Sequence, residues 1–384
     1  MTGGVGEGLA IRGLSKRFGD VEALREATLD AAPGEVIAVT GPSGAGKTTL
    51  CRLIAGLERP DAGHVALAGR DLAAVPAGRR AIAYLFESYA LYPHMSVLDN
   101  ALSPLRAPGR GAGLTGAAME AGAREVLAML AIDHLAARLP SELSGGQKQR
   151  AALARALVQQ DAAITLLDEP ISHLDAKLRH RLRGEIKRLL ARRTSPTLWS
   201  TPDGLEALSV ADRVVVLIEG RIAQIGTPAE IWEHPADTGV ARLIGDPPVS
   251  LVTGRLAAGG FEAAAGGRIA LDPAGTARLA AIAGEGPAIL GLKPRAIRVA
   301  PAPGGAAFEV FAVEPFGKYT LVSVKIGDEL VRAKTTDPVT LAAGDPVTLS
   351  AVGRDFVVFD AGTGRAVAAP EHEPAPALAT AEMT

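Results

Sequence analysis

Val36-Ile37-Ala38-Val39 is a short apolar run that ends in the glycine-rich polar stretch GPSGAGKTT, residues 41–49, before Leu50-Cys51-Arg52-Leu53-Ile54 resumes apolar spacing. The order predicts a strand, a tight turn and a helix. Upstream, residues 9–31 alternate turn signals with short apolar stretches and read as a small antiparallel sheet. Residues 64–69 and 82–86 read as further strands. Pro93 breaks the segment 87–100, and Ser96 is placed to cap a following helix. Residues 104–118 are rich in Gly, Pro and Ala and read as an exposed excursion. Val126, Leu127 and Leu130 fall at helical spacing within 121–135, and LSGGQKQR, 143–150, leads into an alanine-rich helix. Ile164-Thr165-Leu166-Leu167 is continuously apolar, as a buried parallel strand is, and runs into Asp168-Glu169-Pro170. Residues 175–193 predict a basic helix with a solvated face, 198–200, 214–218 and 222–225 three more strands, and 228–244 a helical close.

The pattern changes after Asp246-Pro247-Pro248. Residues 249–362 carry short alternating runs, among them 308–313, 319–326, 330–334, 347–352 and 356–360, punctuated by Gly, Pro and Asp. They predict a small all-β barrel or sandwich. The last residues, 366–384, read as a disordered tail. A length of 384 residues with 48% hydrophobic content suits two or three packed domains. Lys plus Arg is 40 against 42 Asp plus Glu, so no basic field points to nucleic acid. Cys51 is the lone cysteine, which excludes an internal disulfide and suits a reducing compartment. No apolar run approaches the ~18 residues of a membrane span, and MTGGVGEG lacks a signal-peptide core. Work at a membrane would require another subunit to hold the chain there.

Three stretches carry candidate chemistry. Gly41, Gly44, Gly46, Lys47 and Thr48 fit G-x-x-x-x-G-K-[ST] in full. Around them Ser43, Ala45 and Thr49 complete a loop whose backbone N–H groups turn inward toward phosphates, aided by the partial charge of the helix start. Lys47 reaches β/γ-phosphates and Thr48 is a Mg²⁺ ligand in such loops, so a nucleoside triphosphate is implied. Asp168 and Glu169 stand at the C-terminal end of a buried strand, where open α/β sheets bind ligands. There Asp168 is placed to hold Mg²⁺ beside Thr48, and Glu169 to polarise an attacking water. Ser144-Gly145-Gly146 is either a second anion-binding helix start or ordinary capping by Ser144. Phe18 is either a base-stacking ring or core.

Together these motifs resemble the nucleotide-binding subunits of ABC transporters. GPSGAGKTT is similar to the Walker A loop, ITLLDEP to Walker B with its catalytic glutamate Glu169, Ser144 to Gln147 to the signature, and SHLD with Asp175 to the D-loop. Phe18 matches the aromatic that stacks on adenine. The resemblance implies a P-loop ABC cassette over 1–246 with a helical subdomain at about 87–160 and an OB- or TOBE-like β-barrel regulatory domain over 247–365. YALYPHMSVLDN, GLKPRAIRV and GRDFVVFDAGTG look like importer ATPases for carbohydrates and glycerol phosphate. The implied machine uses ATP and Mg²⁺ at the cytoplasmic membrane face. It holds two ATPase subunits, each site pairing one chain's Walker motifs with the other's signature. Two transmembrane permease subunits and an extracytoplasmic solute-binding protein complete it.

Two positions depart from that pattern. Glu87 stands where the family's Q-loop glutamine, a Mg²⁺ or water ligand, is expected, and Pro202 stands at the switch histidine, in STPDGLEA. A carboxylate near a polyanion is repelled by roughly 4 kcal/mol at 4 Å and effective dielectric 20, less whatever Mg²⁺ absorbs. Proline has neither a side-chain donor nor a backbone N–H. Losing one positioned donor costs on the order of 10²–10³ in rate. The expectation is a degenerate site in a heterodimer whose partner is a regular ATPase chain, against a homodimer that tolerates both changes. His173 is a candidate compensating group, and His94 a weaker one. Other readings are a regulatory ATP-binding subunit, a soluble ABC ATPase of repair or translation, and an importer of polyamine, iron or an oxyanion.

Overall fold

The computed structural model describes residues 8–107, 113–257, 260–273, 276, 286–302, 308–352 and 355–367. Residues 108–112 of the Gly/Pro-rich excursion, and 368–384 of the tail, lie outside the described residues. The chain divides into two units, 1–229 and 230–384.

The first unit opens with β1 (Leu9–Phe18), β2 (Val21–Ala31) and β3 (Val36–Thr40), followed by α1 (Lys47–Ala55). Next come β4 (Ala62–Leu67), β5 (Arg70–Asp71), β6 (Ile82–Leu85), α2 (Val97–Leu102), α3 (Gly116–Met129) and α4 (Gly145–Leu157). Then follow β7 (Ile164–Asp168), α5 (Ala176–Leu190), β8 (Thr197–Thr201), α6 (Gly204–Val210), β9 (Arg213–Ile218) and β10 (Arg221–Gly226). The strands form two sheets, ordered β2-β1-β4-β5 and β10-β9-β3-β8-β7-β6. The first is antiparallel. In the second, β9, β3, β8, β7 and β6 run parallel and only β10 is antiparallel. Helices on a parallel sheet leave no face for water, and β3, β7 and β8 are buried at every residue. Ser96 caps α2 as the sequence predicts, its Oγ accepting from Asp99 N.

This sheet sets the site. Thr40 of β3 pairs with Thr201 of β8, and Asp168 of β7 with Ser200 of β8. Three C-terminal strand ends therefore open side by side. Trp199, fully buried in β8, donates its indole N–H to Glu206 Oε1 of α6 at 2.7 Å. Glu206 is itself buried, and burial raises its carboxyl pKa above the ordinary value. A folded-state pKa above the unfolded one means stability is full below the unfolded value and declines as pH rises through the folded one. Glu206→Gln keeps the acceptor and removes the charge. Its melting temperature is expected to exceed wild type above neutral pH, with the gain vanishing on acidification. A pH series of thermal melts that shows a constant difference contradicts this.

In the second unit, α7 (Pro228–Glu233), which spans the division, and α8 (Thr238–Leu243) precede β11 (Ser250–Ala257), β12 (Gly260–Ala263), β13 (Arg268–Leu271), β14 (Pro287–Leu292) and β15 (Ile297–Pro301). They are followed by β16 (Phe308–Pro315), β17 (Thr320–Ile326), β18 (Glu329–Thr335), β19 (Pro346–Ala351) and β20 (Phe356–Asp360). These ten strands form one sheet ordered β18-β17-β16-β19-β13-β12-β11-β14-β20, with β15 also on β19. It curls on itself: Arg332 N, on terminal strand β18, donates to Ser250 Oγ of β11 at 3.1 Å. Alternate residues fill one core, including Phe261, Leu290, Val324, Val331, Leu349 and Phe356. Ala241 of α8 packs in a second cluster with Val249, Leu251, Val357 and Phe359. Val367, at the end of the described chain, donates its N–H to Val358 O at 2.8 Å.

Candidate nucleotide site

The phosphate loop lies between β3 and α1, and its glycines are there for stated reasons. Gly41 (φ 158°) has no room for a side chain, since a Cβ would lie 2.1 Å from Leu217 O of β9. At Gly46 (φ 103°) a Cβ would lie 2.3 Å from Ala23 O of β2. Gly46→Ala therefore combines left-handed strain with overpacking, and costs about 1–3 kcal/mol. A melting temperature lower by several degrees and weakened ATP binding are the expected results, read by thermal melts with and without ATP.

Lys47 begins α1 and is buried. Its Nζ donates to Gly41 O at 2.8 Å and Pro42 O at 3.0 Å. An ammonium has three donors, so one remains for an anion at the loop. Burial lowers the Lys47 pKa, while Glu169, Asp168 and Glu87 hold it up. Those three carboxylates thus lie within electrostatic reach of the same ammonium, Glu87 from an exposed position. Glu169 is half-buried, and its pKa is raised first by burial and next by Glu87.

The Asp168–Glu169 pair is held by residues the motifs do not name. Ser200 Oγ donates to Asp168 Oδ1. Asp168 Oδ2 is buried with no hydrogen-bond partner. Glu169 has a left-handed backbone, φ 50°, which is costly for a residue with a Cβ. Its N–H donates to Ser200 O at 3.0 Å. Its carbonyl accepts from Gln149 Nε2 at 2.9 Å and Ser172 Oγ at 3.1 Å. Sequence reading passed over Ser200 and Gln149. The one available signal for Ser200 is its position at the end of a predicted strand, 198–200.

A magnesium ion fits this donor set. No group of three or more His, Cys, Asp or Glu among the described residues would hold a metal alone. Mg²⁺ needs no such cage, since it commonly takes one or two carboxylates and fills its shell with phosphate oxygens and water. Asp168 Oδ2, buried with no hydrogen-bond partner, is an oxygen left for a cation to ligate.

The other predicted positions fall as follows. Ser43 and Gly44 are exposed at the loop mouth, Ala45 is buried, and Thr48 and Thr49 are partly buried on α1. Phe18 is 44% exposed rather than core, with Lys16 Nζ 5.3 Å from its ring centre. It ends β1, at the turn into the strand whose Ala23 abuts Gly46. Ser144 caps α4 with a reciprocal bond, Ser144 N donating to Gln147 Oε1 at 2.8 Å and Gln147 N to Ser144 Oγ at 3.4 Å. Gly145 is exposed, and Gly146 lies against Leu174 and the His173 carbonyl rather than the phosphate loop. Asp175 caps α5, accepting from Leu178 N at 2.9 Å. Pro202 is exposed directly after β8, ahead of Asp203, whose Oδ1 caps α6.

The fold and the loop between β3 and α1 are those of a P-loop NTPase of the cassette type. The ABC transporter family model matches residues 24–172. The chain is 45% identical over 274 residues to the sulfate/thiosulfate import ATP-binding protein CysA of Burkholderia mallei (strain ATCC 23344), covering 71% of this chain and 77% of the relative. It is 38% identical over 365 residues to the sn-glycerol-3-phosphate import ATP-binding protein UgpC of the same organism, covering 93% of this chain and 98% of the relative. The dimeric ATP-binding cassette MJ0796 in a post-hydrolysis state, bound to ADP and Pi, superposes with a TM-score of 0.52 at 27% identity, over 57% of this chain and 98% of that one. The chain belongs to the ABC transporter ATP-binding family and is an ABC-type transport ATPase. No described helix is long and apolar enough to cross a membrane.

Proposed function

We propose that this chain is the ATP-hydrolysing subunit of an importer, working at the cytoplasmic face of the membrane on two permease subunits served by an extracytoplasmic solute-binding protein. The observation that carries the proposal is the alignment with a glycerol-phosphate import subunit over 93% of the chain, which spans both units. The solute is then a carbohydrate, polyol or glycerol phosphate. The higher identity to a sulfate/thiosulfate importer subunit over 71% of the chain favours a second reading, an oxyanion.

In this proposal Phe18 stacks on adenine, and the loop from Gly41 to Thr49 wraps the phosphates. Lys47 meets the β/γ-phosphates with its remaining N–H. Thr48, Asp168 and Glu87 hold Mg²⁺, which when bound offsets the charge of the phosphates. Glu169 orients and deprotonates the attacking water, its backbone fixed by Ser200, Gln149 and Ser172. Ser144 to Gln147, with Asp175 nearby, serve the site of a second ATPase chain. Glu87 and Pro202 support a slow or nucleotide-holding own site, hence a heterodimer. A homodimer is the competing arrangement.

The test is the complex that copurifies from the native membrane. One kind of ATPase chain sinks the heterodimer. Reconstituted with its binding protein, the complex should hydrolyse ATP faster with sugars or glycerol phosphate. Stimulation by sulfate alone transfers the assignment to the oxyanion reading.

A further inference from the structure

Two loops carry the carboxylates Glu87 and Glu169, and a histidine ties one to the other. The first follows β6 and holds Glu87, then Tyr89 and Ala90. Both of the latter have left-handed backbones, φ 63° and 43°. Arg155 of α4 restrains them, donating from one guanidinium nitrogen to Ala90 O at 2.6 Å and from the other to Tyr89 O at 2.8 Å. The second loop follows β7 and holds Glu169, also left-handed, then Ser172 and His173. Non-glycine residues persist in this region only where surrounding contacts over-determine them.

His173 Nδ1 stands 3.0 Å from Tyr89 OH and 3.0 Å from Ser172 Oγ. The Tyr89 and His173 rings meet edge-on, centres 6.2 Å apart at 87°. Ser172 Oγ in turn donates to Glu169 O. Ser172 has a single hydroxyl proton, and that bond uses it. With Nδ1 bare, the imidazole accepts the Tyr89 hydroxyl proton. With Nδ1 protonated, it donates to Ser172 Oγ or Tyr89 OH. The bond that joins the loops is the one to Tyr89 OH, since Ser172 and His173 are neighbours on the same loop.

We propose that His173 is a positioning residue for ATP hydrolysis: by its bond to Tyr89 it ties the loop bearing Glu87 to the loop on which its neighbour Ser172 holds the backbone of Glu169. The inference rests on the ATPase reading and deepens it. Its motive is local. On the β8 flank Ser200 O accepts from Glu169 N, while Pro202 offers neither a side-chain donor nor an N–H, so further restraint comes from the other flank. The carbonyl of His173 lies at Gly146, so the restraint sits where α4 begins.

The test uses the full chain with Tyr89→Phe, His173→Phe, the double variant and His173→Asn, whose amide keeps a hydrogen-bonding atom near the Nδ1 place. Each single loss is expected to lower kcat about tenfold, the rate equivalent of one hydrogen bond, with KM for ATP unchanged. The double variant should fall no further, and Asn should recover most of the rate. Amide hydrogen exchange at 87–90 and 169–173 should quicken equally in both singles and the double. Additive losses, a change confined to KM, or an Asn variant no better than Phe overturns the proposal. If the wild-type chain shows no turnover, its own site is the nucleotide-holding one proposed above. The exchange comparison then decides on the link by itself, and unchanged exchange refutes it.

Discussion

A Glu169→Gln chain is expected to bind ATP at least as tightly as wild type and to lose turnover by about 10²–10⁴-fold, the usual contribution of a positioned general base. The side chain enters from the end of a strand buried at every residue, and its backbone is anchored by Ser200, Gln149 and Ser172. None of those bonds involves the carboxylate, so the substitution leaves the anchoring intact. Glutamine matches glutamate in shape and removes only charge and basicity. Around Lys47 the loss is electrostatically favourable to a polyanion. One ammonium there feels the charges of Glu169, Asp168 and Glu87. Phosphate release gives kcat, and titration with a fluorescent nucleotide gives affinity. Retention of turnover within about tenfold moves the base role to another group, His173 first. A brisk wild-type rate abolished by the substitution counts against a degenerate own site.

The parts of this site that were legible in the sequence are those written contiguously. The phosphate loop and its flanking strand and helix occupy neighbouring residues, so spacing alone predicts them. Asp168 and Glu169 were legible because a continuous apolar run marks a buried strand and the carboxylates end it. What orients these groups comes from far along the chain. Ser200 reaches Asp168 across 32 residues, Gln149 reaches Glu169 across 20, and Arg155 reaches Ala90 across 65. Only strand order brings them together, and no local pattern encodes it. The β unit shows the same limit. Strands from 308 onward are five to eight residues long and bounded by turn residues, whereas β12 and β13 are four residues each among Ala and Gly. The parallel pairing of β13 with β19 joins segments that nothing local connects. Phe18 belongs here too. Its place in a strand was readable, but its exposure depends on the turn to Val21, which is itself exposed.

The switch position yields the second large effect. Pro202→His is expected to raise the chain's own ATP turnover by about 10²-fold, the scale of one positioned donor aimed at developing charge. Strand register supplies the reason. Thr201 of β8 pairs with Thr40, one residue before the phosphate loop, and Ser200 pairs with Asp168. A side chain just past Thr201 therefore emerges between the phosphate loop and the carboxylates. Proline there is exposed. Replacing it also leaves the α6 cap to Asp203, which accepts from Leu205 and Glu206 through its own carboxylate. Histidine restores both a ring donor and a backbone N–H. Glu87→Gln, tested alongside, should add to the gain if the like charge at the Lys47 cluster is the second brake. The control is Pro202→His combined with Glu169→Gln. The gain must disappear there, because a donor that steadies the reacting phosphate does nothing without the base. A wild-type chain already fast, with no gain from histidine, would mean that Pro202 is tolerated and that two copies of this chain suffice for the motor.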